Sequence, residues 1–158
     1  MRRTSYVLYC VAVLVSFTLN ATAVAGAYDT YLKANDIEKV AGLKGVKSVA
    51  KGALSGAGGD LNFATADDKL IVMVQVVGKS QYVGFKKYFF KSSIKGLGEE
   101  AMEGASVPGM PSNVVVFVKG VQCVALTAFG DAASGGKKFM LTIPQMSELA
   151  KTIAARMK

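Results

Sequence analysis

Eight consecutive residues, Leu70 to Val77 (LIVMVQVV), are apolar on both of the faces that a strand would present, and most of them are β-branched. A solvent-facing strand alternates apolar and polar side chains; a run without that alternation belongs in the middle of a covered sheet. The neighbouring segments supply partners for it. Leu61, Phe63 and Thr65 alternate with Asn62 and Ala64, the pattern of a strand with two different faces. Val114 to Val118 and Val121 to Phe129 are strongly β-prone. Between them, Lys119-Gly120 has the length and the glycine of a two-residue hairpin turn. Gly45 to Ala50 is a weaker strand, Ala101 to Val107 a short one ahead of a Pro108/Pro111 loop, and Lys138 to Leu141 a brief return to the sheet. Connections this short require antiparallel pairing.

Three helices punctuate these strands. Asn35 with Glu38 three residues on has the form of a capping box, Ile37, Val40 and Ala41 make an apolar face, and Gly42 offers a left-handed stop. Ser80 is placed to cap a second helix over Gln81 to Phe90, with Tyr82, Phe85 and Phe89 on its core face. Thr142 and Gln145 frame Pro144 at the start of a third, in which Met146, Leu149, Ala150, Ile153, Ala154 and Met157 recur at helical spacing. The segment Lys51 to Gly59 (KGALSGAGG) has too many glycines for a regular element and reads as a mobile turn. The expectation is an α+β fold: an antiparallel sheet of about six strands backed by two or three helices, in the order α-βββ-α-βββ-α.

The N-terminal segment stands apart from this fold. Arg2 and Arg3 precede an uncharged apolar run from Tyr6 to Leu19, and small residues then crowd between Asn20 and Ala27. Positive, apolar and small in that order is the pattern of a secretory signal peptide, with cleavage near Ala25 or Ala27. The apolar run is shorter than the roughly 20 residues a membrane span needs. The chain is therefore read as a signal peptide, 1–27, and a single α+β domain, 28–158, exported to a periplasm or secreted. That domain keeps a net charge of +6, from 17 Lys and Arg against 11 Asp and Glu, and retains Cys123 after Cys10 leaves with the signal. With one cysteine there is no internal disulfide, so stability comes from packing.

Four short motifs run through the domain: the opening helix Asp36 to Leu43, the turn Gly96-Leu-Gly-Glu-Glu-Ala101, the hairpin Val118-Lys-Gly-Val121 and the terminal Leu149-Ala-Lys151. In that order they resemble small exported bacterial α+β domains of uncharacterised function. The resemblance implies a fold and a compartment and carries over no active site. Related lipoprotein domains hold a lipid-attached cysteine at the signal end; this chain has none there, so tethering is not implied.

The chain contains no histidine. Ser-His-Asp and Cys-His catalysis are thereby excluded, together with His-ligated zinc, copper and haem. The carboxylates Asp67-Asp68 and Glu99-Glu100 sit in predicted turns, where solvated side chains are the ordinary outcome. Gly56-Ala-Gly-Gly59 leads into a strand, not a helix, and lacks the Gly-Lys-Ser/Thr ending of a phosphate loop; Gly52-Ala-Leu-Ser-Gly56 is no nucleophile elbow. No catalytic, cofactor-binding or metal-ligating residue is assigned, and no cofactor is expected.

The most suggestive stretch is Lys79 to Lys95 (KSQYVGFKKYFFKSSIK), with five lysines, no acid and interleaved aromatics. Lys79, Tyr82, Lys86, Lys87, Tyr88, Lys91 and Lys95 are its candidate surface-binding residues, suited to an anionic envelope surface or a partner protein. Its ordinary alternative is a helix docked on its own sheet with solvated lysines. Export argues against nucleic acid as the partner. Cys123 is either a buried small hydrophobe or a free thiol. The leading expectation is a non-enzymatic exported binding or accessory domain. An envelope-surface protein held by the basic aromatic helix, and a His-independent hydrolase using carboxylates or a Ser-Lys pair, remain alternatives.

Overall fold

A computed structural model describes residues 26–107, 110–130 and 138–158. Residues 1–25, which hold most of the expected signal peptide, Pro108 and Gly109 of the expected Pro108/Pro111 loop, and residues 131–137 lie outside the described residues. Within them the order is α1 (Ala34–Ala41), β1 (Lys47–Ser48), β2 (Leu61–Ala64), β3 (Leu70–Gly78), a 3-10 turn (Lys79–Gln81), α2 (Tyr82–Phe89), β4 (Phe90–Ser93), β5 (Glu100–Val107), β6 (Met110–Lys119), β7 (Gln122–Phe129) and α3 (Ile143–Arg156). All seven strands join one antiparallel sheet in the order β1-β2-β3-β7-β6-β5-β4. The chain winds from one edge to the centre in β1–β3. It then crosses to the opposite edge through α2 and winds back to the centre in β4–β7.

The fold is α+β as expected, with one strand more than the six foreseen. The addition is β4. Phe90 leaves the helical region (φ −59°, ψ 125°), so α2 stops at Phe89 and the chain pairs with β5 at once. Gly104 on β5 makes room for this: a β-carbon there would collide with the Phe89 carbonyl. Lys138 to Leu141 contributes a single bridge, Gly130 to Phe139, and the weak strand over 45–50 shrinks to two residues. β6 begins at Met110 and takes in Pro111, beside a register shift in β5. The hairpin turn is shifted by one residue: Lys119 pairs with Gln122, leaving Gly120 (φ 60°) and Val121 as the loop.

The sheet is covered on both faces, which is what the unalternating β3 demands. On one face, Val72 and Val74 of β3, Val115 and Phe117 of β6 and Val124 and Leu126 of β7 meet Ile37 of α1 and Met146, Leu149 and Ile153 of α3. On the other, Tyr82 of α2 covers Met102, Val114, Val116, Val118, Cys123 and Ala125. α2 crosses β5 and β6, so β3 and β2 on that side are left to another part of the chain.

Local signals place the helices. Thr142 and Gln145 form the reciprocal capping box, the Gln145 amide donating to Thr142 Oγ1 (3.4 Å) and the Thr142 amide to Gln145 Oε1 (2.9 Å). At α1 the capping carboxylate is Asp36, which accepts from the Lys33 amide (2.9 Å); Glu38 instead accepts from the Val46 amide (2.9 Å) and ties α1 to the chain entering β1. Ser80 lies inside the 3-10 turn, and no side chain caps α2. The C-terminal end of α3 is closed from the sheet: Lys119 Nζ donates to the carbonyls of Ala154 (2.5 Å) and Met157 (2.9 Å). No helix of the described residues is long and apolar enough to cross a membrane.

Candidate functional site

Because side chains alternate along a strand, the β3 residues between Val72 and Val76 that face α2 are Met73 and Gln75. Pairing sets Met73 opposite Thr127 of β7, and Thr127 opposite Val114 of β6, so the three make a row across the sheet. Gln75 stands over the next row, opposite Ala125. α2 covers only part of these rows. The Lys51–Gly59 segment folds over the remainder.

That segment is held by its own backbone. The Gly52 amide donates to the Ala57 carbonyl (2.7 Å) and the Ala57 amide to the Leu54 carbonyl (3.0 Å). At its end, buried Asn62 bonds Gly59 in both directions, accepting from its amide and donating to its carbonyl at 3.0 Å each. A β-carbon on Gly59 would stand 2.5 Å from Met73 Cγ and 2.6 Å from the Val74 carbonyl oxygen. Only glycine lets the loop lie this close to β3. The glycine-rich stretch, expected as a mobile turn, is a hydrogen-bonded lobe seated on the sheet.

Between this lobe and α2 opens a cleft of about 620 Å³. Met73, Gln75, Val114 and Thr127 form its floor, Phe85 and Phe89 one wall, Leu54 and Gly56–Gly58 the other, with Phe129 and Lys51 completing the lining. The lining is chiefly apolar. Its size lies within the range of about 300–1,000 Å³ over which proteins bury small molecules. Lys51 is the one ionisable side chain on it among the described residues, and it is exposed. The Lys51 ammonium and the side chains of Gln75 and Thr127 make no hydrogen bond or ion pair with another described residue, although Thr127 is only 7% exposed.

The basic segment divides between two environments. Tyr82 is buried in the second core, and burial, followed by the charge of Glu100 and of Cys123, raises its phenol above the usual range. Phe85 and Phe89 pack beside it, 6.1 Å apart between ring centres, and turn their exposed sides to the cleft. Lys79 is engaged by Glu99 (Nζ to Oε2, 2.6 Å), and Glu99 also accepts from the Gly120 amide (2.8 Å). This contact raises the Lys79 pKa and lowers that of Glu99. Lys86 lies 5.9 Å from the Phe90 ring centre and Lys87 5.4 Å from that of Tyr88. With Lys91 and Lys95 they face solvent. The structure thus leaves Lys86, Lys87, Tyr88, Lys91 and Lys95 exposed, with Lys86 and Lys95 sharing the lining of a second recess with Tyr82, while Lys79 is paired with Glu99.

Cys123 is fully buried beneath α2, and burial pushes its thiol up to about 11. Several other carboxylates serve the scaffold. Asp67 and Asp68 pair with Lys69 (3.1 Å) and Lys47 (2.7 Å) around the β2–β3 turn, and Asp60 accepts from the Val76 amide (2.7 Å). Among the described residues no cluster of His, Cys, Asp or Glu is arranged to hold a metal ion.

Lys51, Met73, Gln75, Thr127 and Phe129 were not singled out as site residues from the sequence. Gln75, the one polar residue in LIVMVQVV, was the available signal; nothing local in the chain says that β3 and β7 are neighbours. No protein-family model, curated protein or solved structure matches this chain.

Proposed function

We propose that this protein is a small exported, non-enzymatic binding domain that holds an apolar small molecule in the cleft between α2 and the Lys51–Gly59 lobe. The carrying observation is the cleft itself: an apolar recess of about 620 Å³ on whose lining three polar side chains, Lys51, Gln75 and Thr127, bond to no other described residue. One lysine without a second ionisable group among the described lining residues suits holding a ligand better than acid–base chemistry, which needs two matched groups. Export rests on the order of charge, apolar run and small residues over 1–27.

The test is native mass spectrometry of the protein purified from its own source, paired with uptake of the neutral dye Nile red. A retained small molecule, or saturable dye fluorescence that the molecule displaces, is the expected result. A bare chain that takes up no dye would end the cleft reading. A mass that still includes residues 1–27 would end the proposal of a cleaved signal.

A second reading has its own observation. Val83 (72% exposed), Tyr88 (71%) and Phe90 (48%) stand on the surface beside Lys86, Lys87 and Lys91, an apolar and cationic combination suited to an anionic envelope surface. Sedimentation with anionic vesicles that weakens as salt rises, and is lost when Lys86, Lys87 and Lys91 become Glu, is the behaviour it requires.

A further inference from the structure

We infer that the cleft is selective for amphiphiles bearing a single negative charge, of the fatty-carboxylate class, with Lys51 receiving the carboxylate and the hydrocarbon lying over Met73 against Phe85 and Phe89. This rests on the cleft reading above and adds the chemistry of the occupant. Charge complementarity carries it. Among the described residues the lining holds one cation, Lys51, and no acid, so a ligand with one anionic group is matched, a dianion is half matched and a cation is repelled.

Among the described residues Lys51 has no carboxylate to satisfy it, unlike Lys47, Lys79 and Lys151, each of which is paired at 2.6–2.7 Å. It stands at the exposed start of the lobe, while the floor and the aromatic wall lie deeper. A charged head at a wet rim and a chain over an apolar floor is the arrangement that leaves neither end badly solvated. Thr127 and Gln75, whose side chains bond to no other described residue, give hydrogen-bonding points to a ligand carrying a further polar group.

Calorimetric titration at pH 8 of protein purified from its own source, using dodecanoate, dodecanol and dodecyltrimethylammonium below their micelle concentrations, decides the matter. The expected result is dodecanoate at least about tenfold tighter than dodecanol, and no measurable heat with the ammonium. Lys51→Met should bring dodecanoate down to about the level at which the same variant binds dodecanol, while Lys51→Arg retains the preference. Equal binding of the acid and the alcohol, or a preference that survives Lys51→Met, overturns the inference and leaves the cleft reading standing. Failure of all three probes and of Nile red to bind overturns both. Lys51-dependent sedimentation with anionic vesicles in the absence of dodecanoate binding assigns the charge to a membrane headgroup and overturns the inference.

Discussion

Gly59 lies so close to Met73 that a β-carbon would come within 2.5 Å of Met73 Cγ, and the carbonyl of Val74 closes the other side at 2.6 Å. The thioether can swing away, but the backbone carbonyl cannot without disturbing β3. Gly59→Ala should therefore cost about 1–3 kcal/mol as an overpacked site, read as a lower urea midpoint. It should also weaken Nile red uptake, because the lobe that makes one wall is displaced. Wild-type stability and uptake in this variant would show that the lobe is not seated as described.

Gly84 gives the opposite sign. It lies inside α2, and a β-carbon there meets nothing within 4 Å. Gly84→Ala should stabilise the protein by about 0.5–1 kcal/mol, through the conformational freedom the unfolded chain loses. A higher urea midpoint with an unchanged slope is the check.

Arg156 grips Asp36 with both arms of its guanidinium (2.6 and 2.9 Å), joining the end of α3 to the start of α1. Arg156, and secondarily the Lys33 amide, hold the Asp36 carboxyl below its usual range against the opposing effect of burial. A depressed folded pKa contributes stability that is present above the unfolded value of about 3.9 and is lost as pH falls through the folded one. Asp36→Asn should thus be less stable than wild type by about 1–2 kcal/mol at pH 7. Urea titrations at pH 7, 5 and 3 should show the gap persisting at pH 5 and narrowing at pH 3. A gap independent of pH would mean that the pair contributes nothing through its charge.

Cys123 should be silent toward thiol reagents in the native protein. It is fully buried, and a thiol pushed up to about 11 is protonated at pH 8. Labelling should become fast only in denaturant, and its native rate should track opening of the sheet beneath α2. Stoichiometric labelling within seconds under native conditions would contradict this placement.

The sheet and the last helix are legible because local pattern determines them. LIVMVQVV has no face that tolerates water, and the Thr142–Gln145 box with its apolar spacing admits one reading. The aromatic face of α2 was legible for the same reason, but its boundary was not. Phe90 continues the apolar run, and it is Gly104 on a distant strand that lets the chain turn there into β4. The cleft was not legible. Its floor exists only through the pairing of β3 with β7, and its wall only because Asn62 and Gly59 fold a glycine-rich lobe back over Met73. Composition drew attention to the lysines of the 79–95 segment. The structure turns most of them to solvent and gives the cleft the opposite, aromatic side of the same helix.

The two outer strands of the sheet, β1 with two residues and β4 with four, each carry an exposed lysine, Lys47 and Lys91. A long bare edge would offer its free amides and carbonyls to any passing extended chain; edges this short and charged offer almost none. Crowded copies of the protein therefore find little edge among the described strands on which to template fibrils.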